Sequence, residues 1–233
     1  MSGRTKIGIV AALSFEVDII HAQLEDLYTE TIADTVYYSG HYGKYDVVIM
    51  QCGMAKVSAA AATQALISVY RPDYIINTGC AGALAEGLNI GDIVLSTGTA
   101  EWDIDLTAIG LPRGYVQAVD SVEIAADSSL REKLKTAVPA DLTICEGLVV
   151  SGDQFVSENA QRRLILDSFP CALCAEMEGA AVGHVCAQNE VPFCVLRCMS
   201  DTADGNSGVN FAEFSKTAGE TSASILLNFL GAD

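Results

Sequence analysis

The sequence has few positive charges. Its 13 lysines and arginines are set against 30 aspartates and glutamates, which gives a formal net charge of -17 at pH 7 and a pI near 4.3. A surface with this balance repels phosphate groups, so the composition argues against a nucleic-acid partner and against an anionic membrane. A small ligand that is neutral or cationic suits this balance better.

Long uncharged apolar stretches are also missing, although 50% of the 233 residues are hydrophobic. No stretch approaches the roughly 20 residues that a membrane-spanning helix needs. The apolar run at 7–13 follows two cations, as in a signal peptide, but Glu16 and Asp18 come directly after it. We interpret this run as a buried strand. We therefore expect a soluble, cytoplasmic protein with enough apolar residues for a sizeable core.

Residues spaced for a metal site are scarce. The three histidines (His21, His41 and His184) are scattered, and the C-x-x-C pair formed by Cys171 and Cys174 has no second pair at zinc-finger spacing. The eight cysteines lie in or beside apolar segments, which is typical of free, buried cysteine in a reducing compartment. We predict no metal ion, and a metal or redox role of the C-x-x-C is the alternative.

Common nucleotide-binding and hydrolase motifs are absent. The glycine-rich segment NTGCAGALAEG contains neither G-x-G-x-x-G nor a P-loop, and no G-x-S-x-G elbow occurs in the chain. Glycines that follow a strand still allow the backbone to approach a flat or sugar-like ligand closely.

The chain does contain a regular alternation of short apolar runs and amphipathic stretches. Runs such as KIGIVAA, YDVVIMQCG and PFCVLRCMSD are almost continuously apolar, which is typical of strands covered on both faces. Helix-like patterns fall at 15–27, 56–70, 123–137, 158–168, 179–189 and 211–230. The alternation predicts an α/β fold with a mixed, largely parallel sheet in one domain that spans 1–233. The segment YYSGHYGKYDVV adds a local hairpin.

Four carboxylates follow predicted strands: Glu16, Glu176, Glu178 and Asp201. Ligands of open α/β sheets bind at the carboxyl ends of the strands, so these four are candidate site residues. Each one alone also has a structural explanation, because acids favour the first turn of a helix and Asp caps loops. Residues two apart face the same way on a strand but diverge on a helix. Glu176 and Glu178 therefore face one cleft only if the strand persists through Met177.

Five segments carry a family resemblance: KIGIVAALSFEV, YIINTGCAGAL, LVVSGDQFV, AEMEGAAVGHVC and LRCMSDTAD. Together they resemble the nucleoside phosphorylase/nucleosidase superfamily and, within it, the 5′-methylthioadenosine/S-adenosylhomocysteine nucleosidases, over nearly the whole chain. The resemblance implies a single-domain three-layer α/β/α sandwich with a central mixed, largely parallel sheet, and a homodimer. It also implies hydrolysis of the adenine–ribose bond in 5′-thio-substituted adenosines, without metal or organic cofactor.

The resemblance assigns roles by motif position. Asp201 would protonate adenine N7, and Glu16 would activate the attacking water with help from Arg197. Glu178 would bind the ribose hydroxyls, with Met177 packed under the sugar. These residue types suit the reaction, because the leaving base gains negative charge while the sugar gains positive charge. Desolvation would raise the pKa of Asp201 from its usual value near 3.9, so that the acid keeps its proton.

The resemblance implies further substrate contacts. Phe155 would stack on adenine, and the backbone of Val156 would read its Watson–Crick edge. The remaining predicted contacts are Glu176, Cys80, Ala81, Gly82, Ser200, Met54, Leu13, Phe211 and Ile109. Leu13, Met54 and Phe211 would form the apolar pocket of the 5′-thio group.

Three features depart from the pattern of many relatives, one of which is the segment WDID at 102–105, where many have His-Asp-x-Asp. Cys80 stands where many have Ser, and Ile109, which would reach over from the partner subunit, stands where many have an aromatic residue. These departures leave the preferred 5′ substituent open.

Three alternatives remain. A phosphorolytic purine nucleoside phosphorylase would need a phosphate holder, but AALSFE and TGCAGALAEG contain no Lys or Arg, and Glu16 would repel phosphate. A hydrolase of aminodeoxyfutalosine or 5′-deoxyadenosine would use the same catalytic residues. A non-catalytic nucleoside-binding protein would have no need of both Glu16 and Asp201. The favoured prediction is the nucleosidase, with a place in methionine salvage.

Overall fold

The computed structural model describes residues 3–203 and 207–232. Its strands are β1 (Thr5–Ala11), β2 (Glu25–Ile32), β3 (Thr35–Tyr42), β4 (Tyr45–Gln51), β5 (Tyr74–Ala83), β6 (Ile93–Glu101), β7 (Ile124–Ala125), β8 (Ile144–Ser151), β9 (Ala172–Glu176) and β10 (Phe193–Asp201). Its helices are α1 (Ser14–His21), α2 (Lys56–Tyr70), α3 (Ser128–Ala137), α4 (Asn159–Ser168), α5 (Gly179–Gln188) and α6 (Ser207–Gly231). This alternation confirms the predicted α/β class.

The strands form one mixed sheet in the order β10-β6-β8-β9-β5-β1-β4-β3-β2. The central strands β4, β1, β5 and β10 pair in parallel, and the predicted hairpin is the antiparallel pair β3–β4. An additional pairing joins β10 directly to β5, so that β5, β9, β8, β6 and β10 form a closed ring. The carboxyl ends of β1, β5 and β10 consequently lie at one edge, close to the end of β9.

Helices cover both faces of the sheet. On one face α2 and α5 pack over the central strands, where Leu66 and Val182 are fully buried. On the other face α1, α3 and α6 contribute Ile20, Leu134 and Leu226 to a second core. Burial of such a side chain stabilises the fold by about 1.5–3 kcal/mol, which explains why the strands are apolar on both sides.

Three helix predictions were wrong at their ends, one of which is the helix expected at 211–230, which begins earlier, at Ser207. The helix expected at 15–27 ends at His21, and Glu25 begins the edge strand β2, most of whose side chains are exposed. The pattern around 123–137 is helical only from Ser128, because Asp127 caps the helix by accepting a hydrogen bond from the Leu130 N–H at 2.7 Å.

Three further findings concern membranes, thiols and metal ions. No helix in the described ranges is both long enough and apolar enough to span a bilayer. All eight cysteines are free, and of the C-x-x-C pair Cys174 lies in the core while Cys171 is exposed. The described residues contain no group of three or more His, Cys, Asp or Glu placed to hold a metal ion.

Candidate active site

A cavity of about 400 Å³ opens at the sheet edge where β1, β5, β9 and β10 end. Of the predicted site residues, those that line it are Leu13, Glu16, Met54, Cys80, Ala81, Gly82, Phe155, Val156, Glu176, Met177, Glu178, Arg197, Ser200, Asp201 and Phe211. The fold thus brings together residues that are far apart along the chain.

Ile109 is the predicted site residue that does not line the cavity. It ends a single 3₁₀ turn (Thr107–Ile109), and 73% of it is exposed. Asp204, the last residue of the S-D-x-A-D motif, lies outside the described residues.

Arg197 is the buried cation at the base of the cavity. Its guanidinium donates to the Thr78 carbonyl at 3.1 Å, to Asn77 Oδ1 at 2.5 Å, and to the Glu176 carboxylate. Burial alone would lower the pKa of Arg197, but the surrounding carboxylates of Glu176, Glu178 and Glu16 outweigh it and raise this pKa. Arg197 therefore stays positively charged, and its guanidinium group is held in one orientation.

The paired glutamates take different positions. The strand ends at Glu176, whose carboxylate accepts hydrogen bonds from the N–H groups of Glu178 (3.0 Å) and Gly179 (2.7 Å), and from Ser151 and Arg197. Glu176 thus accepts hydrogen bonds from the N–H groups at the start of α5, a role that the structural explanation would have given to Glu178. Glu178 also reaches the cavity although the helix begins directly after it.

Within the described ranges, the Glu178 carboxylate accepts one hydrogen bond. Its Oε1 accepts a hydrogen bond from the Ala55 N–H at 2.8 Å, and its Oε2 lies 3.9 Å from the Arg197 guanidinium. Burial, with the neighbouring charge of Glu176, raises the pKa of Glu178 above its ordinary value. A carboxylate accepts about four hydrogen bonds, so Glu178 has capacity left for a ligand that donates hydroxyl groups.

Glu16 lies in the first turn of α1 and is 1% exposed. Its Oε2 accepts hydrogen bonds from the N–H groups of Ala12 at 3.0 Å and Leu13 at 2.9 Å. Burial raises its pKa, and the charge of Arg197 together with the backbone hydrogen bonds partly opposes this shift. Glu16 is therefore held rigidly but remains a better proton acceptor than an exposed glutamate.

Asp201 is placed at the other side of the cavity. Its Oδ2 accepts a hydrogen bond from the Ser200 hydroxyl at 3.0 Å, and its Oδ1 accepts one from the Ala203 N–H at 2.9 Å. Gly82 pairs with it across the β5–β10 ladder, and only a glycine leaves room beside the carboxylate. Asp201 is 2% exposed, so its orientation is set by the protein and not by solvent.

The rest of the wall is apolar and partly aromatic. Phe155 and Phe211 meet edge to face with ring centroids 5.3 Å apart, and 40% of Phe155 is exposed. Such rings offer a flat base a stacking surface. Burial, with the charge of Glu16, raises the pKa of the Cys80 thiol to about 12, so Cys80 is a neutral group in the wall.

Sequence reasoning missed some residues of the site. Ala12, Gln154, Ala175 and Gly208 also line the cavity. Asn77, buried in β5, orients Arg197 and is itself anchored by donating to the Val10 carbonyl at 3.0 Å. The available signal for Asn77 is an amide inside an otherwise apolar strand, which needs a buried partner.

The charges of the cavity favour a ligand that becomes positive. Among the described residues of its lining, Arg197 is the one Lys or Arg, against the carboxylates of Glu16, Glu176, Glu178 and Asp201. Because Arg197 is already engaged by Glu176, the cavity offers little to an incoming phosphate ion.

The chain matches the model of the Phosphorylase superfamily over residues 6–231. It is 38% identical to the 5′-methylthioadenosine/S-adenosylhomocysteine nucleosidase of Shewanella loihica, over 97% of this chain and 98% of that protein. The solved nucleosidase of the same kind from Neisseria meningitidis, in complex with methylthio-immucillin-A, superposes with a TM-score of 0.94 at 34% identity and covers 97% of this chain and 99% of that one.

A futalosine hydrolase of Helicobacter pylori has the same fold, with a TM-score of 0.91, 29% identity and 97% of each chain covered. The curated nucleosidase relative is more similar in sequence, at 38%. The chain therefore belongs to the phosphorylase superfamily and, within it, to the family of 5′-methylthioadenosine/S-adenosylhomocysteine nucleosidases.

Proposed function

We propose that this chain hydrolyses the N-glycosidic bond of 5′-thio-substituted adenosines, 5′-methylthioadenosine and S-adenosylhomocysteine above all, and releases adenine and the thioribose. 5′-Deoxyadenosine, which has a 5′-methyl group and no sulfur, is a further proposed substrate. The observation that carries the proposal is the convergence of Glu16, Glu178 and Asp201 on one cavity of about 400 Å³.

In the proposed reaction the bond between C1′ and N9 breaks, and its electron pair leaves with the adenine. Asp201 donates a proton to N7, which neutralises the charge that develops on the base. Water attacks C1′ and gives its proton to Glu16, whose pKa burial raises. Arg197, whose charge acts on Glu16, helps to hold the water. General acid or base catalysis of this sort typically contributes about 10²–10⁴-fold in rate.

Glu178 binds the ribose hydroxyls in this proposal, and its negative charge favours the cation-like sugar of the transition state. Glu176 mainly holds Arg197 and the start of α5, because donors within the protein occupy its carboxylate. Its contact with the substrate is therefore secondary. Met177 packs under the sugar. Adenine stacks on Phe155 beside Val156, and Leu13, Met54 and Phe211 surround the 5′-thio group.

We propose water and not phosphate as the nucleophile. The loops at the ends of β1 and β5 bring no Lys or Arg to the described cavity lining, and the Glu16 carboxylate in that lining would repel phosphate. Two negative charges that lie close together in a buried site repel each other strongly.

We further propose that the chain is one domain and acts as a cytoplasmic homodimer in methionine salvage. The exposed Ile109 supports the dimer, because it would complete the 5′ end of a partner's cavity. Measurement of the molar mass in solution tests this point.

The function is tested by adenine release in phosphate-free buffer from four substrates in parallel: 5′-methylthioadenosine, S-adenosylhomocysteine, 5′-deoxyadenosine and aminodeoxyfutalosine. We expect the highest kcat/KM for a thio-substituted adenosine, and a loss of about 10² or more in Asp201→Asn. A clear preference for aminodeoxyfutalosine would assign the chain to the competing hydrolase activity. A need for phosphate would assign it to the phosphorylases.

A further inference from the structure

A second cluster of charges lies behind the cavity wall, and the proposed reaction uses none of it. Lys56 Nζ lies 2.9 Å from Glu101 Oε2 and 2.6 Å from Asp103 Oδ1, and His184 Nδ1 lies 2.9 Å from Glu101 Oε1. The side chain of Lys56 is 13% exposed, so the ion pairs are largely shielded from water. None of these four residues lines the cavity.

The backbone connects this cluster to the loop that ends β8. The Lys56 N–H donates to Asp153 Oδ1 at 2.8 Å, and the Asp153 N–H donates to Asp103 Oδ2 at 2.8 Å. Lys56, Asp103 and Asp153 thus form a closed ring of contacts. Asp153 directly precedes the segment 154–156, which lines the cavity.

The residue before Lys56 contacts the site itself. The Ala55 N–H donates to Glu178 Oε1 at 2.8 Å, and this residue has φ 74° and ψ 164°, a backbone conformation that only glycine adopts readily. Such a conformation persists only where its surroundings hold it. The ion pairs of Lys56, one residue further on, tie the adjoining backbone to Glu101 and Asp103.

We propose that Lys56 is a positioning residue: its ammonium group, held by Glu101 and Asp103, fixes the 53–56 loop so that the Ala55 N–H aims Glu178 at the ribose hydroxyls. This inference rests on the proposed function of the cavity. In this role Lys56 keeps Glu178 in place when no substrate is bound.

A purely structural ion-pair cluster would behave differently. Loss of its lysine would lower stability or the overall rate, but it would leave the contribution of the ribose hydroxyls unchanged. A positioning role instead predicts that the enzyme loses its ability to distinguish a substrate with these hydroxyls from one without them.

The test compares kcat/KM for 5′-methylthioadenosine with kcat/KM for its 2′,3′-dideoxy analogue, in wild type and in Lys56→Met, which keeps an apolar stem of similar length. We expect kcat/KM for the parent substrate to fall by about 10–100-fold and the ratio of the two substrates to fall by about tenfold. Lys135→Met is the matched control, because Lys135 also pairs at 2.5 Å with a glutamate, Glu146, but is 43% exposed and far from the cavity. It should keep the wild-type value of both quantities.

The outcomes separate the two proposals. A wild-type ratio in Lys56→Met, with or without a lower rate, overturns the positioning role. Absence of adenine release by wild type itself overturns the proposed function instead. If Lys56→Met does not fold, the double variant Lys56→Met/Asp103→Asn, which removes one charge of each sign and leaves Glu101 paired with His184, is read for the same ratio.

Discussion

Substitution of Gly82 by alanine tests the placement of the proposed general acid without touching its chemistry. A Cβ atom built at Gly82 lies 2.6 Å from Asp201 Oδ1 and 3.1 Å from the Ala203 Cβ. Carbon–oxygen contacts of this type normally measure about 3.3 Å or more, so the Asp201 carboxylate or its strand must move by about 0.7 Å. The hydrogen bonds from Ser200 and from the Ala203 N–H oppose that movement.

The expected cost follows from the size of this displacement. A misplacement of about 1 Å in a catalytic group costs on the order of 10²-fold in rate, so we expect kcat of Gly82→Ala to fall by about 30–100-fold. That loss corresponds to about 2–3 kcal/mol of transition-state stabilisation. The KM value should change much less, because the contacts proposed for the sugar and the stacking of the base on Phe155 remain.

Steady-state release of adenine from 5′-methylthioadenosine measures both constants, and thermal unfolding shows whether the variant is folded. Gly231→Ala is the control, since a Cβ there meets the Tyr42 ring at 3.5 Å, an ordinary contact remote from the cavity. It should keep wild-type kcat. A folded Gly82→Ala enzyme with kcat within threefold of wild type would refute the reasoning, because the reaction would then not depend on the position of Asp201.

Three further predictions concern pH and stability. Burial raises the pKa of Glu16 above its ordinary value of 4.5, and Glu16 must be ionised to act as the proposed base. We therefore expect kcat/KM to fall on acidification with a midpoint above pH 4.5. A midpoint at or below pH 4.5 would contradict this role. Ala55→Gly relieves a glycine-type backbone conformation and should raise the free energy of unfolding by about 1 kcal/mol in denaturant titrations, where a decrease would show that the conformation is not strained. Leu66→Ala removes a fully buried side chain of α2 and should lower that free energy by about 2–5 kcal/mol, whereas Leu164→Ala, which is 43% exposed, should lower it by less than 1 kcal/mol.

The sequence predicted the elements whose side chains are buried better than those that are exposed. The pattern at 56–70 coincides with α2, because one face of that helix is buried and Arg71 ends it in the left-handed conformation. The edge strand β2 was missed, since most of its side chains are exposed and Leu24 and Leu27 match the helical spacing of the preceding turn.

The same contrast holds for the site. Residues at strand ends were identified, because the carboxyl edge of the sheet and the family motifs both point to them. Asn77 and Lys56 act through other residues and lie behind the wall, so neither the strand-end rule nor a motif of the cavity marks them. The proposed place of Ile109 at a partner's cavity involves a second copy of the chain, which one sequence does not describe.

The paired glutamates show that a structural role and a place in the site are compatible. Glu176 serves the first turn of α5 and also holds Arg197, whereas Glu178 begins the same helix but reaches the cavity. The sequence predicted that both would face one cleft only if the strand persisted through Met177; the strand ends at Glu176, yet both carboxylates approach the same guanidinium. The turn between a strand and a helix allows this arrangement, since neither periodicity applies to it.

The origin of the oxygen that reaches C1′ tests the central proposal most directly. The reaction with 5′-methylthioadenosine is run in ¹⁸O-labelled water that also contains millimolar phosphate, and the sugar product is analysed by mass spectrometry. We predict methylthioribose that is heavier by about 2 Da, with no sugar phosphate, and no product from Asp201→Asn in the same time. A methylthioribose 1-phosphate product without the label would contradict the account.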